Sequence, residues 1–149
     1  MEEYKRAFNI IWADLDPNSH MRHTAYNNYA AQVRVNIFSD LGAPVHKMVT
    51  MGIGPILFRE ETKFLKEVLM NETITVDCCI AAMRSNGTKF RFIHNIFKES
   101  GEKSAIVVAE GSWLDLNLRK ITAPPEEIIH MMHDMPKTED FEWIPDKQG

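Results

Sequence analysis

Trp12-Ala13-Asp14-Leu15-Asp16-Pro17-Asn18-Ser19-His20-Met21-Arg22-His23-Thr24-Ala25-Tyr26 is the stretch where the chain changes its period. Before it, Tyr4 to Ala13 carries Phe8, Ile10, Ile11 and Trp12 and reads as a strand. Asp14 to His20 then sets Asp, Pro, Asn and Ser in close order, which is loop chemistry. From Thr24 onward Tyr26, Ala30, Val33, Ile37 and Leu41 recur at spacings of three and four, which predicts one long helix. Thr24 is suited to cap its start, and Gly42 followed by Pro44 stops it.

The rest of the chain reads mostly as strands. Ile56 to Val68 is one, and Thr73 to Ala82 is a cleaner one, with Ile74, Val76, Cys78, Ile80 and Ala82 on one face. Ser85-Asn86-Gly87 makes a turn, and Lys89 to Phe97 follows with Phe90, Phe92, His94 and Ile96 alternating. Ser104 to Leu118 is a long strand in which Gly111 suggests a bulge. Pro124 and Pro125 open a short helix through Met132. The segment from Pro136 reads as a polar tail with Phe141 and Trp143 as docking points. One strand, one long helix and a run of antiparallel strands predict a single α+β domain over residues 1–149. On period alone, a cystatin-like or ferredoxin-like sheet with a helix on one face fits equally well.

Composition sets the outer limits. With 149 residues, 44% hydrophobic and 26% charged, the chain can bury one ordinary core. A net charge of −4 argues against a nucleic-acid-binding protein. No apolar run reaches the ~20 residues that span a bilayer, and no signal-type segment opens the chain. The expectation is a cytoplasmic protein without membrane contact. Cys78 and Cys79 are neighbours on a strand and point to opposite faces, so they should remain reduced.

The loop before the helix is where the chemistry concentrates. It places two carboxylates, an amide and two imidazoles beside a helix N-terminus. That terminus offers unpaired N–H groups and partial positive charge, which suit a carbonyl or an anion. A carboxylate there can act as base or nucleophile on an acyl group. Asp14, Asp16 and Asn18 also match the first ligand positions of a calcium loop, but Ser19 and Ala25 stand where that loop needs glycine and glutamate. His20 and His23 lack a strong third ligand nearby for zinc. Residue types alone leave open whether the polar groups react or only shape the turn and cap the helix.

The string Asp14-Leu15-Asp16-Pro17-Asn18-Ser19-His20-Met21, with Tyr26 beyond it, closely resembles the signature of hot-dog-fold thioesterases. It is similar to the 4-hydroxybenzoyl-CoA thioesterase family and the plant acyl-ACP thioesterases, in which an Asp-x-Asn-x-His run opens the central helix. The order of elements over most of the chain agrees. The resemblance implies an antiparallel sheet wrapped around one long central helix, plus a short C-terminal helix. It implies an acyl-CoA thioesterase with Asp16 as nucleophile or general base, and Asn18 and His20 as further active-site residues. The polarising backbone N–H would lie near His23 and Thr24. Two positions depart from the pattern: Ser19 replaces a common glycine, and Arg22-His23 replace a usual pair of asparagines.

By the same resemblance, Tyr26 would contact substrate, and Glu60 and Glu61 lie on the strand where some relatives carry a second acid, with Glu61 the one that would bind substrate. Arg84, Lys89 and Arg91 lie where relatives hold the CoA phosphates. His94 reads as a packed histidine, while His130 and His133 should face water. The chemistry needs no metal or organic cofactor, since CoA belongs to the substrate. The expected partners are an acyl-CoA or acyl-carrier thioester and a second copy of the chain, as a homodimer or homotetramer. A hot-dog enoyl-CoA hydratase and a non-catalytic acyl-thioester-binding domain are the competing functions.

Overall fold

The computed structural model describes residues 1–146. In chain order they form β1 (Lys5–Asn9), α1 (His23–Asp40), α2 (Val45–Met51), β2 (Ile53–Phe64), β3 (Thr73–Asp77) and β4 (Cys79–Arg84). There follow β5 (Phe90–Phe97), β6 (Lys103–Asp115), β7 (Lys120–Thr122), α3 (Glu126–Asp134) and β8 (Lys137–Ile144). The strands build one sheet: β2 pairs β6, β6 pairs β5, and β5 pairs both β3 and β4. The far edge is closed by two separate pieces, β1 antiparallel on β3 and β8 parallel on β4.

The sheet curves around α1, whose buried side chains include Ala25, Tyr26, Ala30, Val33, Ile37 and Phe38. That stripe meets the alternating inward residues of β5, where Phe90, Phe92, His94 and Ile96 are buried. Phe38 stands edge-on to Phe92 with ring centroids 5.8 Å apart, and Phe90 stacks on Phe92 at 4.4 Å. A buried aromatic of this kind contributes roughly 1.5–3 kcal/mol. Helix and sheet thus share one apolar core, and α1 cannot shift along its axis without breaking it.

Several elements differ from the sequence reading. The helix begins two residues earlier, with Arg22 at the cap position and His23 first, so Thr24 lies inside the first turn and caps nothing. The run read as one strand from Tyr4 ends at Asn9, and Trp12–Asp14 forms a single 3-10 turn. The strand read through Cys78 breaks there, which allows β1 to cover one half and β8 the other. Cys78 and Cys79 are free thiols. The polar tail is in fact β8, whose Glu142, Trp143 and Ile144 pair with Ala82, Met83 and Arg84. The bulge suggested at Gly111 falls on its partner strand, at Phe58. A Cβ at position 111 would lie 2.0 Å from the Ile56 carbonyl oxygen, so only glycine allows that approach.

The bulge decides which side chains of β2 face the helix. Beyond Phe58, Glu60 turns toward Arg34, Thr62 donates to Asn27 Oδ1 at 2.5 Å, and Phe64 packs on Tyr26 with centroids 5.0 Å apart. Arg59 and Glu61 share the other face, joined at 2.6 Å and largely exposed.

Candidate active site

The loop ahead of α1 is a tight, over-determined structure. Asp16 N–H donates to the His20 carbonyl, and Ser19 N–H donates to the Asp16 carbonyl, closing a turn. Ser19 takes φ of 67°, the left-handed region that favours glycine, which accounts for the residue expected there. Met21 N–H donates to Val68 at 2.8 Å and Arg22 N–H to the Asp14 carbonyl at 2.7 Å. The loop is therefore sewn to the segment that follows β2 and to itself.

The two aspartates have different work. Asp14 is buried, and its carboxylate accepts from Ile11 N–H at 3.1 Å and from the Tyr29 hydroxyl. Burial and that carboxylate push the Tyr29 hydroxyl well above its usual range, so it remains a donor. Asp16 is partly open. Its Oδ1 accepts from Asn18 N–H at 2.8 Å, and its Oδ2 lies 3.0 Å from His20 Nδ1. With acceptors at Asp16 Oδ2 and at the Met21 carbonyl, 3.3 Å away, Nδ1 is placed to donate.

Asp16, His20, His23 and Tyr26 line one open cavity of about 330 Å³, closed opposite by Phe64, Leu65, Lys66 and Glu67. The amides of His23 and Thr24 are the first two of α1 and have no hydrogen-bond acceptor among the described residues. A carboxylate and an imidazole thus share one space with His23, the first residue of the helix, the kind of set needed to add an oxygen nucleophile to a polarised carbonyl. Phe64 to Glu67 were not foreseen as a wall, although the apolar pair Phe64-Leu65 at a strand end was a signal.

Other candidates lie elsewhere. Asn18 is exposed on the turn and contributes its N–H to Asp16, outside the cavity lining. Glu61 points to the face away from α1, and Glu60 takes the helix side in its place. Arg84, Lys89 and Arg91 surround the end of the sheet where Phe90, Gly111 and Leu57 align, whereas the cavity lies at the Phe64 end. Leu57 and Phe64 are roughly 20 Å apart at ~3.3 Å per strand residue. Arg91 is tied to Glu110 and Glu142, and Arg84 to Pro145 and Thr88. Lys89 Nζ has no partner among the described residues. His94 is packed as read, while His130 and His133 are exposed. No helix of the described residues is long and apolar enough to cross a membrane.

The model of the thioesterase-like superfamily matches residues 10–132, from just after β1 to within α3. The chain belongs to that superfamily. Comparison with curated proteins returns no match. Among solved structures, a Staphylococcus aureus protein determined in complex with CoA aligns at 18% identity with TM-score 0.81, over 91% of this chain and 87% of its own. A DHNA-CoA thioesterase from the same organism aligns at 18% identity with TM-score 0.76, over 83% and 81%. A 1,4-dihydroxy-2-naphthoyl-CoA thioesterase from Synechocystis aligns at 14% identity with TM-score 0.79, over 89% and 96%. The thioesterase-like chain therefore has the hot-dog fold, a curved antiparallel sheet around one central helix.

Proposed function

We propose that this protein hydrolyses acyl-CoA thioesters, with Asp16 as the reacting carboxylate. The observation that carries the reading is the placement of Asp16, its Oδ2 held by His20, in one open cavity with His23, at the N-terminus of α1 where the amides of His23 and Thr24 have no acceptor among the described residues. The thioester oxygen sits at those amides, where fixed dipoles stabilise the negative charge as the carbonyl becomes tetrahedral. Asp16 then takes a proton from water as the C–O bond forms, or attacks the carbon itself to give an anhydride that water opens. In either route the C–S bond breaks and CoA leaves as the thiol. His20 keeps the carboxylate oriented throughout. No metal or organic cofactor enters these steps.

The second part of the reading is a two-fold dimer, with the cavity close to the subunit contact. Among the described residues β2 pairs only with β6, so its outer edge is unpaired, and it carries exposed Phe58 and Phe64. Antiparallel pairing of that edge with itself carries the Lys89 end of one subunit toward the Phe64 end of the other, where CoA phosphates need a cation.

Thiol release from short, medium, long and aryl acyl-CoAs tests the activity; a hydratase or a pure binding domain releases none. Asp16→Asn keeps the loop hydrogen bond from Asn18 but removes base and nucleophile together, so kcat falls by roughly 10²–10⁴ with KM less changed. Asp14→Asn, which touches only Ile11, Tyr29 and the distant Arg22, costs about 1–2 kcal/mol of stability and far less kcat. The opposite ranking moves the chemistry to Asp14, and wild-type rates in both variants leave the loop as scaffold only.

A further inference from the structure

Helix α1 and strand β2 run in opposite directions. Tyr26, near the start of α1, packs on Phe64 at the end of β2; Asn27 then accepts from Thr62, and Arg34 faces Glu60. A second cavity, of about 370 Å³, lies beyond these contacts, where the later part of α1, α2 and the first half of β2 meet. From His23 to Arg34 the helix rises ~16 Å at 1.5 Å per residue. Within one subunit the contacts of Tyr26, Asn27 and Arg34 therefore stand between this hollow and the thioester cavity.

The hollow is hydrocarbon. Phe90 and Phe92 are buried on its sheet side, while Val45, Val49 and Leu57 are exposed in the single subunit. Among the described residues that line it, Arg34 alone carries a charged side chain, and its Nη1 already donates to His94 Nε2 at 2.9 Å. A hydroxyl entering this space gives up water for almost nothing in return, whereas each methylene buried there is favourable.

Pairing over the whole of β2 with its two-fold copy reverses the order of the strand's ends. Phe64 of one subunit then stands level with the partner's Ile53, one strand spacing of ~4.8 Å away. Phe64 lines the thioester cavity and Ile53 lines the hollow, so each thioester cavity opens beside the hollow of the other subunit. We infer that the hollow of one subunit takes the acyl chain of the thioester held by its partner, that the substrate is a medium-chain aliphatic acyl-CoA, and that Val49 and Leu57 set the length accepted. This deepens, and rests on, the hydrolysis and the dimer proposed above. At ~30 Å³ per water-sized group the hollow holds on the order of ten heavy atoms, which sets the chain at about ten carbons.

The test measures kcat/KM for a series of acyl-CoAs with the full chain. It rises by up to ~4-fold per added methylene and turns over at about ten carbons. 4-Hydroxybenzoyl-CoA falls at least about 10-fold below octanoyl-CoA, because its hydroxyl finds no partner in the walls. Val49→Trp, a large side chain entering from an exposed position of α2, moves the optimum to shorter chains, and Val49→Ala moves it to longer ones. Asp16→Asn and Val49→Trp chains made together in equal amounts assort at random. About a quarter of the sites then join an intact Asp16 to an intact hollow across the two-fold, so decanoyl-CoA hydrolysis recovers to about a quarter of wild type, although each variant alone is nearly inactive on it. A chain lying in its own subunit's hollow gives no recovery. Binding is read without turnover in the Asp16→Asn protein carrying ¹³C-methyl methionine: decanoyl-CoA shifts the Met48 methyl, and acetyl-CoA does not. That shift in a protein that hydrolyses no acyl-CoA keeps the hollow as the acyl site and removes only the hydrolysis. No recovery in the mixed assembly, a length profile indifferent to both Val49 variants, or a preference for 4-hydroxybenzoyl-CoA overturns the inference even where short acyl-CoAs are hydrolysed.

Discussion

Lowering the pH from 7 to 5 places a proton on His94 in the unfolded chain that the folded chain refuses. His94 is fully buried, and burial first, then the neighbouring Arg34 cation, push its pKa down from 6.5 to about 3. The folded group is therefore neutral throughout the window from 6.5 down to about 3, while the unfolded one becomes charged. In that window the unfolded state binds more protons, so stability rises with pH and is lost as pH falls. One proton between those two pKa values costs about 2 kcal/mol on going from pH 7 to pH 5. With a urea m-value of ~2 kcal/mol/M for a chain of this size, the midpoint drops by about 1 M. Urea melts at half-unit steps, followed by circular dichroism, measure this directly. His94→Gln supplies the control: its amide can accept from Arg34 and donate to Asp77, and it does not titrate. The variant is less stable at pH 7 but loses about 2 kcal/mol less than wild type on acidification. Parallel profiles for the two proteins would refute the assignment of a neutral, buried His94.

Four further outcomes are expected. Gly111→Ala, whose Cβ meets the Ile56 carbonyl oxygen, destabilises by about 3 kcal/mol in thermal melts; a loss under 0.5 kcal/mol removes the steric reading of the bulge. Ser19→Gly relieves the left-handed φ and stabilises by up to about 1 kcal/mol, whereas Ser19→Val destabilises. Light scattering at micromolar concentration gives at least twice 17.2 kDa; the monomer mass refutes pairing of the β2 edge. Lys89→Ala raises KM for acyl-CoA more than it lowers kcat, and added salt mimics it, while Arg91→Ala leaves KM unchanged because Glu110 and Glu142 already hold that cation.

What could be read from residue types was whatever depends on neighbours in the chain. The long helix was legible because Tyr26, Ala30, Val33 and Ile37 keep its period, and the site loop because Asp14 to His20 concentrates short polar groups. The strand β8 was not legible: Lys137-Thr138-Glu139-Asp140 is polar, and it becomes a strand only because the open edge of β4 supplies partners. The helix α2 was lost to its length, since seven residues from Val45 hardly establish a period. The choice of Glu60 over Glu61 depended on one extra residue at Phe58, which inverts every side chain beyond it. Likewise the second wall of the site, Phe64 to Glu67, is set by Met21 bonding across to Val68, a contact that no local pattern announces.

Because β4 is completed by β8, the last strand of the described chain, its edge has a history during synthesis. Ile80 must wait for Lys137 and Arg84 for Ile144. At ~5–20 residues per second the ribosome needs roughly 3–12 s to make the intervening segment, and the nascent chain carries an unpaired edge through that interval. The first half of the same line is safe from the start, since β1 is made before β3 and covers it as it emerges. A premature stop anywhere in β8 makes the temporary edge permanent. Such fragments are expected to retain the helix, the loop and Asp16, yet to be lost to aggregation rather than to lack of a catalytic group.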